Sequence, residues 1–257
     1  MRIPLARTCS TPRTTPHPAF TPSSLSFCNH DHVTLHPPPL QPVQCTGTPP
    51  SPRSYLHAAS SASSIFVFGG CDAQGRCNDL HMFDITTCQW TQMPVSCDIS
   101  GRGGPALAVT GDGNTVYVAC GYSGQENDDV HAFDVTTKQW RVCAAAGSRL
   151  FEARSVVGSC SLHDCIIVFG GETATSAKGH DGAGNFTNDV VRICSTTGSI
   201  SVPAAAPPCP CVRGWTAMAS WGDGEEGGAV MFGGLTGDDD APIRLGDTWQ
   251  LRLSAAV

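Results

Sequence analysis

Glu172, His180 and Asp181 stand within one polar stretch, GETATSAKGHDGAGNFTND at 171–189, and no other short segment of the chain groups side chains so suited to chemistry. A carboxylate and an imidazole close in sequence can share a divalent cation, and a mixed nitrogen and oxygen set with open positions suits non-haem Fe(II). The bland reading of the same stretch is a glycine-rich surface loop. Arg154 and Arg213 each open an apolar run. Their guanidinium groups could clamp an anionic group through two parallel N–H donors, whereas bracing of adjacent backbone is the structural alternative. His81 and His131 alternate with apolar strand residues, as hydrogen-bonded strand histidines do. Cys209 and Cys211 form a lone C-x-C in a proline-rich stretch, without the second cysteine pair that a zinc site uses.

The elements that must carry these residues are repeats. The pattern FVFGGCDAQGRCNDLHMFDITTCQW at 66–90 returns, weakened or stretched, at 117, at 167 and at 230. Each copy has a β-rich run, a glycine pair or its remnant, a polar loop, an aspartate step and a second apolar run. Phe68-Gly69-Gly70 aligns with Ala119-Cys120-Gly121, Phe169-Gly170-Gly171 and Phe232-Gly233-Gly234. Asp79, Asp129, Asp189 and Asp247 share one position, and Arg53, Arg102, Arg154 and Arg213 open the four copies. A residue that recurs in every repeat closes a turn or braces the fold, so function is expected where a repeat departs from the others. The third copy departs most, with 16 residues between Gly171 and Asn188 against seven between Gly70 and Asn78. A period of roughly 50 residues with short strands and glycine turns predicts four-stranded blades.

The glycine pair followed by aromatic-Asp and then Trp resembles the kelch pattern, and the resemblance runs from about 53 to 253. It implies an all-β kelch β-propeller with four recognisable blades, either a small ring or part of a six-bladed one. Residues 1–52 hold 12 of the 19 prolines and no acid before Asp31, so they are expected to be a disordered segment, and residues 53–257 the propeller. A transit peptide shares that arginine-rich, acid-poor bias. The only stretch there able to lend a missing outer strand is HVTLH at 32–36.

Within this frame, FEARSVVGS, IIVFGGETATSAKGHDGAGNFTND and RGWTA resemble plant nitrile-specifier and epithiospecifier proteins. That resemblance implies an Fe(II) cofactor and a lyase-like reaction that diverts glucosinolate aglycones, released upstream by myrosinase, to nitriles. It implies Glu172 and His180 as metal ligands, with Ser176 standing where the family carries an aspartate and Asp181 or Asp164 as substitutes. It also implies Arg154 and Arg213 as groups able to meet the aglycone sulfate. The alternative is a non-catalytic kelch scaffold that binds a protein partner with its loops.

Composition narrows the classes. The net charge of −7 argues against nucleic acid, and no stretch has the apolar length to span a bilayer. Fourteen cysteines without a secretory leader are expected to be reduced thiols, in the cytoplasm or a plastid.

Overall fold

The computed structural model describes residues 42–204, 207–222 and 227–252, apart from the His180 side chain. The HVTLH stretch and residues 1–41 of the proline-rich segment fall outside these residues. Ahead of the expected boundary at residue 53, Thr46–Gly47 (β1) pairs with the edge of the first blade, parallel to Gln89–Trp90. Ser51 is also engaged, donating to Asp72 and accepting from the Arg53 guanidinium.

The first blade runs outward as His57–Ser60 (β2), Ser64–Phe68 (β3), Leu80–Asp84 (β6) and Gln89–Gln92 (β7), with a small hairpin of Cys71–Asp72 (β4) and Gly75–Arg76 (β5) between β3 and β6. Ala106–Val109 (β8), Thr115–Ala119 (β9), Val130–Asp134 (β10) and Gln139–Ala144 (β11) make the second. Gly158–Leu162 (β12), Cys165–Phe169 (β13), Val190–Cys194 (β16) and Ile200–Ser201 (β17) make the third, with the hairpin Glu172–Ala174 (β14) and Asn185–Phe186 (β15) inserted. The fourth has three strands, Ala217–Trp221 (β18), Gly228–Gly237 (β19) and Pro242–Leu251 (β20). The antiparallel pairing is regular because the β-branched and aromatic runs keep a period of two, so each strand sends alternate residues to the two neighbouring blades.

That alternation builds the core as three slabs between blades. Phe66, Phe68 and Leu80 of the first blade meet Leu107, Val116, Val118 and Phe133 of the second. Tyr117, Ala119 and Val130 of the second meet Ile166, Val168, Val191 and Ile193 of the third. Cys160, Leu162 and Ile167 of the third meet Ala229 of the fourth, with Met218 and Leu251 packed alongside. Burying a side chain of this size stabilises by about 1.5–3 kcal/mol, so the slabs dominate the stability of the fold. Cys120 and Cys160 lie in these slabs, and burial pushes both thiols up to about 12. All twelve cysteines among the described residues are free thiols.

At the axis the blades are stitched by a relay of main-chain hydrogen bonds. Gly104 donates to the Tyr55 carbonyl, Val156 to that of Gly104, and Trp215 to that of Val156. These four residues each stand two places after a repeat-opening arginine, and all are left-handed, with φ of 57°, 58°, 50° and 59° from Tyr55 to Trp215. Side chains resist that conformation, and a β-branched valine resists it most. The Trp215 ring meets that of Tyr55 edge-on, with centroids 6.1 Å apart, and stays 40% exposed. Gly104→Ala is expected to cost about 2 kcal/mol, since a Cβ there adds left-handed strain and falls 2.7 Å from Val156 Cγ1. A urea midpoint equal to the parent protein's would show that the relay tolerates a side chain at this step.

Candidate functional site

The arginines that open the repeats are internal braces. Arg102 is 1% exposed and holds both oxygens of Asp129, at 2.5 and 2.8 Å, while also donating to the Cys120 carbonyl. Arg53 treats Asp79 and the Gly69 carbonyl in the same way. Their main chains tie blades together: the carbonyls of Arg102, Arg154 and Arg213 accept from Gly70, Gly121 and Gly171 of the preceding blades. Arg154 and Arg213, the sequence candidates for an anionic ligand, occupy the same buried position. Arg154 donates to the Gly170 carbonyl and to Asp189, and Arg213 to the Gly233 carbonyl and both Asp247 oxygens. Both guanidinium groups are buried and engaged by their own blades.

The histidines complete this brace. His131 Nε2 lies 2.9 Å from Asp129 and His81 Nε2 lies 2.8 Å from Asp79. In the fourth blade the Trp249 indole donates to Asp247 instead. Burial pushes the Asp129 carboxyl up, but His131 and Arg102 outweigh it and hold the group down to about 2. The third blade has Val191 at the histidine position, and its Asp189 is half in solvent with one 3.4 Å contact to Arg154. This blade has the loosest brace and the longest loop.

That loop leaves the blade through β14 and returns through β15, with a short 3-10 turn at Gly179–Asp181 that includes the main chain of His180. Glu172 is buried at its root, and a Cβ on Gly184 would fall 2.5 Å from Glu172 Oε1. Ser176 does not meet Asp181 or Asp164. Its hydroxyl donates to Asp239, from the β19–β20 turn, and the Ala177 amide donates to the same carboxylate. Lys178 donates to the Asp239 carbonyl and to Asp240. Asp164 sits in the β12–β13 turn beside Cys165 and Arg192. The acidic run at 238–240, which by sequence reads as solvated charge, thus anchors the long loop to the fourth blade. Among the described residues no three His, Cys, Asp or Glu side chains converge as a metal site. The Ser176 hydroxyl, at the position where the resembled family carries an aspartate, is thus engaged by Asp239, and the side chain of His180 lies outside the described residues.

A cleft of about 720 Å³ opens instead where the second blade meets the third. Glu126 and Asp128 line it from the β9–β10 connection, Arg149, Phe151 and Glu152 from the link between the blades, and Thr173 from the root of the long loop. Asp128 fixes the link by accepting from the Gly147 and Arg149 amides at 2.7 and 2.9 Å. Phe151 is pinned by the Arg154 guanidinium, 5.6 Å from its ring centre. Both Glu126 carboxyl oxygens are buried without a well-formed hydrogen bond, although the Ser155 hydroxyl bears on the group. Burial, with the neighbouring Glu172 charge adding to it and Ser155 opposing, pushes this carboxyl up to about 7. Sequence reasoning passed over the cleft because its lining comes from three separate segments. The one signal was the polar run Gln125-Glu126-Asn127-Asp128 ahead of Asp129.

Four antiparallel blades, three of them four-stranded and the fourth three-stranded, each with an arginine–aspartate brace and three with a glycine pair, define a kelch β-propeller. Residues 32–171 match the KLHDC2/KLHL20/DRC7 kelch-repeats domain, more than half of the chain, and the chain belongs to this kelch-repeat family. It is similar to the Rab9 effector protein with kelch motifs of Danio rerio, 33% identical over 90 residues, or 34% of this chain and 25% of that protein. Kelch domain-containing protein 2 of Bos taurus is 42% identical over 53 residues, 21% of this chain and 13% of that protein. Host cell factor 1 of Homo sapiens is 26% identical over 245 residues, 89% of this chain but 11% of that protein. The chain spans a quarter or less of the length of these relatives.

Proposed function

We propose that this protein is a non-catalytic interaction module that receives a segment of a partner protein in the cleft between its second and third blades. The observation that carries the reading is the cleft itself, a concave surface with a pinned aromatic, a buried carboxyl and a rim of loop residues on a rigid scaffold. Kelch relatives support it in kind, since one of them is named as an effector of a Rab protein. The buried Glu126 favours a segment that brings a hydrogen-bond donor or a positive charge, because such a group satisfies the carboxyl that the fold leaves poorly bonded. Diversion of glucosinolate aglycones by Fe(II), through Glu172 and His180, rests on residue resemblance alone.

Partners captured by the full chain are to be identified, purified and titrated against the parent protein and a Thr173→Arg variant, whose long side chain fills the cleft mouth. The expected result is at least tenfold weaker binding by the variant. Equal affinities would remove the cleft from the interface. A myrosinase digest that forms more nitrile only when this protein and Fe(II) are present, and not with Glu172→Ala, would replace this reading with the specifier one.

A further inference from the structure

We infer that Cys165 and Cys194 are a redox-active dithiol of the third blade, in which Cys194 meets a hydroperoxide and Cys165 resolves it as a disulfide within the blade. The two residues are directly opposed in the pairing of β13 with β16. One step beyond them the Ser195 amide donates to the Asp164 carbonyl at 2.7 Å, which places the cysteines at a non-hydrogen-bonded position of the ladder. Cα atoms at such a position lie about 4.5 Å apart with both side chains on one face, and a disulfide spans Cα separations of about 4.4–6.8 Å. At this place the first blade sets Ser64 opposite Asp84 and the second sets Thr115 opposite Asp134. Of these three blades, the third alone carries two facing thiols.

The surroundings give the two thiols different roles. Asp84 and Asp134 each accept from two amides of the turn that follows, those of Thr86 and Thr87 and of Thr136 and Thr137. Cys194 takes over this anion seat. Its sulfur lies 3.1 Å from the Thr196 hydroxyl, and hydrogen bonds from Thr196 and Thr197 hold the thiol down to about 6. The residue is partly exposed, so a thiolate is present and reachable near neutral pH. Cys165 is buried. Burial raises its thiol above the ordinary value, Arg192 opposes this with its Nε 2.7 Å from the sulfur, and Asp164 adds to the rise. A reachable thiolate beside a protonated resolving thiol is the arrangement that peroxide oxidation uses. The Cys194 sulfur attacks one oxygen of the hydroperoxide, the O–O bond breaks, and the other oxygen leaves with a proton from water. The sulfenic sulfur is then attacked by Cys165, the S–S bond forms as the S–O bond breaks, and the hydroxide leaves with the Cys165 proton as water. Two electrons pass from the dithiol to the peroxide.

To test this, the full chain is reduced, freed of reductant, treated with one equivalent of hydrogen peroxide near pH 7, alkylated and mapped by peptide mass spectrometry. The expected product links Cys165 to Cys194 in most molecules that react, leaves the exposed Cys45, Cys97 and Cys211 open to alkylation, and reverts to free thiols with dithiothreitol. In Cys165→Ser the reaction should stop at a sulfenic acid on Cys194, which dimedone captures. Cys194→Asp restores the turn of the sister blades and so keeps the fold; it should form no disulfide and consume peroxide at least threefold more slowly. Cys143 of the second blade touches the same turn, since a Cβ on Gly198 would fall 3.0 Å from its sulfur, and Cys143→Ser should leave the product unchanged. A bond between Cys143 and Cys194, or oxidation of the exposed cysteines ahead of Cys194, would overturn the inference.

Discussion

Asp129→Ala is expected to lower the stability of the propeller by about 3–5 kcal/mol, the largest loss predicted for any single substitution here. The change leaves the Arg102 guanidinium, 1% exposed, without the carboxylate that takes two of its donors, and removes the oxygen that faces His131. An uncompensated buried charge costs far more than a surface ion pair contributes. The same substitution in the third blade tests the cause. Arg154 is as buried as Arg102, but Asp189 is 48% exposed and holds it through one 3.4 Å contact only, so Asp189→Ala removes a weaker pairing and should cost about half as much or less. Urea unfolding of both variants, read by tryptophan fluorescence, decides it. Equal midpoint shifts would mean that the repeat position, and not the depth of its burial, sets the energy. Replacing Arg102 and Asp129 together with methionine and leucine should recover part of the loss, because no charge then remains buried.

Glu126→Gln is expected to stabilise the protein in mild alkali and to do little in acid. The carboxyl is ordinarily near 4.5 and is pushed up to about 7 in the folded chain, so the folded state prefers it protonated. The stabilisation is therefore fully present below about 4.5 and is lost as pH rises through about 7. Allowing for solvent screening of a group that is only partly enclosed, the loss is about 1–2 kcal/mol. Glutamine carries no charge to bury, so the variant's stability should stay flat from pH 5 to 8 while the parent protein's falls. The groups facing the carboxyl are Ser155 and Glu172, and repulsion from Glu172 is part of the shift. Thermal melts at pH 5 and pH 8 measure the difference. A parallel fall in both proteins would assign the slope to another group. Below pH 4 the two should converge on one acid limb, because Asp129, held down to about 2, loses its contribution as pH falls toward that value.

The loop at 171–189 shows how the resemblance and the packing part company. Glu172 lies at a repeat boundary, and its place beside the glycine pair was legible from the alignment of Gly170-Gly171 with the other copies. The partner of Ser176 was not. Asp239 is 63 positions away, and only the approach of the β19–β20 turn to the long loop joins them. The brace was half legible: recurrence marked Arg102 and Asp129 as structural, but which aspartate each arginine takes depends on strand register within the blade.

By itself the sequence determined the blade. Strand runs with a period of two, glycines where the chain turns with positive φ, and a recurring arginine, aspartate and aromatic are local devices, and each copy carries its own set. The tertiary structure alone decided what lies between blades. The cleft of Glu126, Phe151 and Thr173 needs two blades and their link to exist at all. The exposure of Phe232, beside the burial of its equivalent Phe68, depends on whether a neighbouring sheet covers it. Residues with the same local pattern receive different environments because hydrophobic burial is a property of the surface that meets them, and no strand carries that surface in its own sequence.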